Sequence, residues 1–327
     1  MRIVVTGGAG FIGSAAVVRL LARGDEVVVL DALAELPYAA APKRENLAWA
    51  AAHGPLRAIH GDVRDPAALA AALPGADAVL HLAGLGSVPA SRRLARLYHD
   101  VNVVGTASVL AGARAAGVGH VVVASSSTVY GDRADGPFRE DDALAPATSP
   151  YAASKRVMEA VCEAFARATP SVAVVRPFAV YGPRLRPDLA LCRFALAALA
   201  GAPLPITGDL SAQRDWTYVD DVVDGLLAAL DRRRAGLWNL GAGAPRSLAE
   251  VVATLGELVG AELPVTRLPP RPGDVALTWA DRSRAVAELG LGPATELRVG
   301  LARTLAWYRA AAGALVPQGS ADRELRA

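Results

Sequence analysis

Met1-Arg2-Ile3-Val4-Val5-Thr6-Gly7-Gly8-Ala9-Gly10-Phe11-Ile12-Gly13 decides the fold. A β-branched run of strand length stops at a glycine-rich turn, and an apolar helical pattern follows directly. Gly7, Gly10 and Gly13 have GxxGxxG spacing, while Gly8, Gly10 and Gly13 satisfy GxGxxG. Glycines there let the backbone approach a pyrophosphate and let the helix pack on its strand. The helix N-terminus, at Phe11 and Ile12, adds unpaired N–H groups and a positive dipole end. A glycine-rich turn before an ordinary helix reads the same way in isolation, so the remaining chain must discriminate.

Asp31 ends the next β-branched run, Val27-Val28-Val29-Leu30-Asp31, about twenty residues past Gly13. A carboxylate there accepts hydrogen bonds from adenosine ribose hydroxyls and repels a 2′-phosphate, and Ala32 to Pro37 hold no Arg or Lys to receive one. That favours NAD over NADP. A helix-cap or turn role is the alternative for Asp31. Asp62-Val63 is a plausible edge for the adenine, although Gly61-Asp62 equally reads as a turn.

Farther on, Tyr151-Ala152-Ala153-Ser154-Lys155 places a phenol and an ammonium four apart, on one face of a helix. A phenol with its reference pKa of ~10 is a poor base at neutral pH, and a fixed positive charge beside it is expected to pull that value down. Alone, such a pair is usually a solvated helix face. Behind a nucleotide fingerprint it reads as catalytic.

Composition narrows the partners. The 327 residues carry a formal charge of +2 with acids and bases intermixed, which excludes a nucleic-acid or membrane-surface patch. Cys162 and Cys192 lie in apolar helical patterns and read as buried, reduced thiols in a cytoplasmic protein; no metal site is expected. The first apolar run is too short for a signal peptide, and no run reaches the ~20 residues of a membrane span.

Strand-like runs at Ile3 to Val5, Glu26 to Leu30, Leu56 to His60, Ala78 to Leu82, His120 to Ser125, Val172 to Arg176 and Leu237 to Leu240 alternate with helical stretches. Among these helices are Ser14 to Arg23, Pro66 to Leu73, Arg96 to Ala116 and Ser149 to Ala168. The alternation predicts an α/β Rossmann fold, a doubly wound parallel sheet, with a smaller C-terminal substrate-binding lobe. We expect the NAD-binding domain to span 1–175 with a return around 215–245, the nucleotide-sugar-binding lobe 176–214 and 246–312, and a frayed tail 313–327.

Six segments standing in this order resemble the extended short-chain dehydrogenase/reductase family acting on nucleotide sugars, over roughly residues 1 to 310. They are Thr6 to Gly13, His81-Leu82-Ala83-Gly84, Val101 to Thr106 around Asn102, Ser125 to Gly131, Pro150 to Lys155, and Arg214-Asp215-Trp216-Thr217-Tyr218-Val219-Asp220-Asp221. The resemblance implies Ser126, Tyr151 and Lys155 as catalytic residues: Ser126 on the reacting hydroxyl, Tyr151 as base, Lys155 on the nicotinamide ribose. It extends the NAD site to Leu82, Ala83, Gly84, Asn102 and Pro177. On the substrate side it implies Ser87, Ser127, Thr128, Ala179 and Asp274, with Arg214 and Arg271 gripping a diphosphate, work that suits guanidinium forks. His81 fits structural hydrogen bonding better than catalysis.

Within the family the likeness is greatest to UDP-glucuronate and UDP-glucose 4-epimerases. Arg186-Pro187-Asp188-Leu189-Ala190 resembles a uronate-enzyme segment ending Arg-Pro-Asp-Met-Ala, which implies Arg186 near the substrate. Ala179 stands where those enzymes carry Thr and many neutral-sugar epimerases Asn, which weakens the acid-sugar assignment. Ser127-Thr128 replaces the Asp-Glu pair of a 4,6-dehydratase. The resemblance therefore implies 4-epimerisation of UDP-glucuronate to UDP-galacturonate through a 4-keto sugar by a homodimer. The alternatives are a UDP-glucose or dTDP-hexose 4-epimerase, a 4-keto-sugar reductase or decarboxylase, and, in another class, a non-catalytic NAD-sensing protein.

Overall fold

β1 (Arg2–Thr6), β2 (Glu26–Asp31), β3 (Leu56–His60), β4 (Ala78–His81), β5 (His120–Ala124), β6 (Ser171–Pro177) and a seventh strand, Gly236–Leu240, build one sheet in the computed structural model, which describes residues 1–166 and 171–312. Their spatial order is Gly236–Leu240, β6, β5, β4, β1, β2, β3, and every pairing is parallel. Strand succession reverses between β1 and β4, so a crevice opens beyond their carboxyl ends, where open α/β sheets bind ligands. In register, Thr6 pairs with Leu30 on one side and His81 on the other.

Strands β1, β2, β5 and β6 form because their residues are largely β-branched and buried on both faces, as a helix-covered parallel sheet requires, whereas the edge strand β3 is half-buried to exposed. Ile3, Val4 and Val5 are fully buried, and with a period of two they divide between two cores. Val5 joins Leu20, Leu80 and Trp238 on one face, while Val4 joins Val28, Val79, Val123 and Met158 on the other.

Expected and observed strands agree to within a residue or so at each end. The stretch expected as one helix from Arg96 to Ala116 is broken into Ala95–His99, a π-helical turn Asp100–Val104 and Gly105–Ala115. A wide turn of this type re-aims one side chain inward, and here that side chain is Asn102. The helix expected from Ser149 to Ala168 runs Pro150–Ala166; residues 167–168 and the expected tail 313–327 lie outside the described residues. A helix at Ala41–Ala51, with Pro42 in its first turn, was not among the expected elements.

Past β6 the chain makes three short pairings. Ala179–Tyr181 lies parallel to Trp216–Tyr218, Leu204–Thr207 parallel to Val265–Leu268, and Gln213–Arg214 antiparallel to Arg246–Ser247. Of these residues, Ala179, Val180, Arg214 and Trp216 line the crevice.

Candidate active site

A cleft of about 730 Å³ runs along the carboxyl ends of the strands. Of the residues expected to act in catalysis or to hold cofactor or substrate, Gly8 of the glycine-rich turn, Asn102, Lys155 and Arg271 lie outside its lining and the rest line it.

At one end lies the glycine-rich turn. Gly7 has φ +72°, and a Cβ there would sit 2.6 Å from Ala83 N; a Cβ on Gly13 would sit 2.1 Å from Gly7 O. No side chain caps the helix Phe11–Ala22, which leaves its first N–H groups to a ligand. Asp31 Oδ2 accepts from Ala9 N at 3.0 Å and Oδ1 from Leu33 N at 2.8 Å. One backbone bond per oxygen leaves the carboxylate further acceptor sites on the cleft. Asp62 is held at both oxygens by Arg64, which lowers its pKa. These residues fit a dinucleotide: bare backbone for the pyrophosphate, an uncapped helix start, and a strand-end carboxylate.

Sequence reading missed Tyr38 and Lys43 in this wall. Lys43 Nζ bonds Ala34 O and Tyr38 O and stands 4.2 Å from the Tyr38 ring centroid. Ala32 to Pro37 hold no Arg or Lys, but Lys43, in the first turn of the helix Ala41–Ala51, lines the site.

Tyr151 stands at the middle of the cleft on the helix Pro150–Ala166. Burial raises its pKa, opposed by the facing Ser126 hydroxyl and by the charge of Arg186. That corrects the expected downward pull from Lys155, because desolvating a phenolate outweighs the nearby donors. Ser126 Oγ accepts from Thr128 N at 3.2 Å and Thr128 Oγ1 at 3.0 Å, so its own hydrogen remains to donate. Ser127 is buried beside it, and Ser87 caps the helix Val88–Arg93.

Lys155 lies beneath this surface. Its Nζ donates to Ala124 O at 2.7 Å, and burial pushes its pKa down to about 8. Asn102 spends its amide on the loop above: Oδ1 accepts from Leu85 N at 2.8 Å, while Nδ2 donates to Leu85 O at 3.0 Å and to Ser154 Oγ at 2.9 Å. It thereby ties Leu82 to Leu85 to the helix that carries Tyr151. His81 is buried between Thr6 Oγ1 at 2.6 Å and Thr106 Oγ1 at 2.9 Å, a structural place.

Arg186 donates from Nε to Asp188 Oδ1 at 3.0 Å, and from Nη2 to Asp188 Oδ2 at 2.6 Å and Gly86 O at 2.7 Å. At the far end Arg214 Nη1 donates to Gln213 O at 2.8 Å, with Asp274 close enough to favour its charge against burial. Arg271 lies outside the lining, near enough to oppose the charge of Arg193, whose buried Nε has no partner among the described residues.

Residues 3–241 match the model of the NAD dependent epimerase/dehydratase family. The chain belongs to that family. Its cofactor is NAD, and its fold is the Rossmann-type sheet of epimerase/dehydratase structures. A dTDP-glucose 4,6-dehydratase of Streptomyces griseus is 38% identical over 98% of this chain and 98% of its own length. Among solved structures, MoeE5 in complex with UDP-glucuronic acid and NAD is 38% identical with a TM-score of 0.85, covering 95% of this chain and 100% of that one. The UDP-glucuronic acid 4-epimerase of Bacillus cereus, solved with UDP-glucuronic acid and NAD, is 30% identical with a TM-score of 0.88, covering 95% and 99%. No described helix of this family member is long and apolar enough to cross a membrane.

Proposed function

We propose that this chain epimerises UDP-glucuronate to UDP-galacturonate at C4. The observation that carries the reading is the meeting of Arg186 and Tyr151 around Gly86: a Cβ on that glycine would lie 3.3 Å from Arg186 Nη1 and 3.5 Å from Tyr151 Oη. A guanidinium beside the acid–base phenol suits a sugar whose carboxylate adjoins the reacting carbon. The likeness to two structures solved with UDP-glucuronic acid and NAD supports it.

Tyr151 takes the C4 hydroxyl proton while the free Ser126 hydrogen holds that oxygen in place. Bound NAD supplies the acceptor, and on return the donor, of the C4 hydride. The 4-keto sugar turns over within the cleft, Tyr151 gives its proton back to the oxygen, and no net redox change results. The region beyond β6 holds the nucleotide through Arg214, Arg271 and Asp274, and we assign 176–214 and 246–312 to that lobe and 1–175 with 215–245 to NAD. Exposed Val104 and Val157, on the π-helical turn Asp100–Val104 and the helix Pro150–Ala166, support a homodimer.

The similarity to a 4,6-dehydratase does not carry over to the reaction. Elimination of water needs proton carriers beside the serine, and Ser127 and Thr128 occupy those positions. A neutral-sugar epimerase is the second reading, because Asp188 already occupies two N–H groups of Arg186 and Ala179 brings no hydroxyl. Incubation with UDP-glucuronate and UDP-glucose, followed by NMR at the sugar C4, separates the two. Epimerisation of UDP-glucose alone overturns the uronate, and a 6-deoxy-4-keto product overturns epimerisation.

A further inference from the structure

Arg184 has a left-handed backbone, φ +64°, which a residue other than glycine, asparagine or aspartate seldom adopts. Such a conformation persists only where its surroundings hold it, and the side chain shows what does so. The guanidinium carbon lies over two indole rings from distant parts of the chain, 4.3 Å from the Trp49 centroid and 5.4 Å from that of Trp307. Trp49 belongs to the helix Ala41–Ala51 of the cofactor wall, and Trp307 to the helix Leu297–Ala312. That second helix also fixes the next residue, Tyr308 Oη donating to Leu185 O at 3.0 Å. Two positions beyond Arg184 stands Arg186, which meets Tyr151 around Gly86.

A relay of side chains runs from Arg184 to the glycine-rich turn. Arg184 Nη1 donates to Asn46 Oδ1 at 3.3 Å, and the buried Asn46 donates from its own Nδ2 to Ala9 O at 3.3 Å. Ala9 N in turn donates to Asp31 Oδ2. The middle of the turn is thus held on its carbonyl side by Asn46 and on its N–H side by the strand-end carboxylate. Neither Arg184 nor Asn46, Trp49 or Trp307 lines the cleft, so any effect of their replacement on NAD must pass through the turn. We propose that Arg184 is a positioning residue for the cofactor: braced by Trp49 and Trp307, it holds the glycine-rich turn through Asn46 and makes retention of NAD depend on the segment that carries Arg186. A planar guanidinium suits this post, since it can stack on an indole and donate in its own plane at once. The sugar has no part in the role, which is therefore independent of the epimerase reading.

The test follows exchange of bound NAD for isotopically labelled NAD in the purified, NAD-loaded chain, by mass spectrometry of the protein-bound fraction. Arg184→Met keeps the stem but loses both charge and donor, and should release NAD about tenfold faster than the parent, the scale of one charge-assisted hydrogen bond. Arg184→Lys keeps a cation and a donor and should stay within about threefold of the parent. Arg184→Gly suits the left-handed backbone, should release NAD as fast as Arg184→Met, and serves if the methionine variant does not fold. Asn46→Ala should speed release to a like degree, and adding Arg184→Met to it should change the rate less than about twofold, because both cut one relay. An arginine that merely stabilised the fold would lower the melting temperature without this coupling or the rescue by lysine. Release at the parental rate in the methionine or glycine variant, a lysine variant as fast as the methionine one, or effects of Arg184→Met and Asn46→Ala that multiply, overturns the proposal. A parent chain inactive on UDP-glucuronate rejects the proposed substrate and leaves these rates standing.

Discussion

Tyr98 meets Tyr151 edge to face, with ring centroids 6.0 Å apart and planes at 75°. Tyr98 is fully buried on the helix just before the π-helical turn, so a core residue sets the aspect of the catalytic ring. Among the described residues its hydroxyl has no hydrogen-bond partner, and burial, opposed by Arg186 and Ser87, pushes its pKa up to about 12.

Tyr98→Phe should therefore leave stability within about 1 kcal/mol of the parent or raise it, since an unpaired buried hydroxyl contributes little. Tyr98→Ala should cost about 3–5 kcal/mol by opening a cavity, and should lower kcat by freeing the Tyr151 ring. Urea unfolding and initial rates check both. A phenylalanine variant destabilised as much as the alanine one would mean that the hydroxyl is bonded.

Tyr151→Phe should lower turnover at least ~100-fold while NAD stays bound, because only the proton carrier is removed. Rates and bound-cofactor content, measured on one preparation, test it. Retention of more than half the activity would remove Tyr151 as base.

Asp31→Ala should weaken NAD binding and narrow the preference over NADP. The carboxylate both faces the cleft and receives Ala9 N and Leu33 N, so the variant loosens the turn that shapes the site as well. Asp31→Asn keeps an acceptor and should lose less affinity than Asp31→Ala. Titrating each variant with both cofactors decides, and a parent chain that prefers NADP contradicts the reading.

His81 makes stability depend on acid. Burial, reinforced by the charge of Lys155, lowers it to about 3, against about 6.5 in the unfolded chain. As pH falls below 6.5 the unfolded chain takes up this proton first, so stability is lost steadily until about pH 3 and is fully retained above 6.5. Between pH 6.5 and 4.5 that amounts to about 2 kcal/mol. His81→Gln, melted across that range, should show a shallower fall in Tm than the parent. An equal slope would exclude His81 as a source of acid sensitivity.

The positions of the strands along the chain, the glycine turn and the spacing of Tyr151 and Lys155 were legible because each depends on neighbours in sequence. β-Branched runs ended by turn residues mark buried strands, and a four-residue step marks one helix face. Asp31 was legible for the same reason, as the last residue of its strand. Chain order could not reveal which distant side chains would share a dielectric environment. Lys43 reaches the cleft from the first turn of a later helix, and Asn102 is buried on a turn where a helix widens. Burial, which depends on the whole fold, raises the Tyr151 pKa against the downward pull expected from the Tyr–Lys pair, and the cation that opposes burial, Arg186, arrives from a segment beyond β6. Local periodicity thus determined the elements and the residue types at the site; packing alone decided their charge, because desolvation and Coulomb interaction act through space and not along the chain.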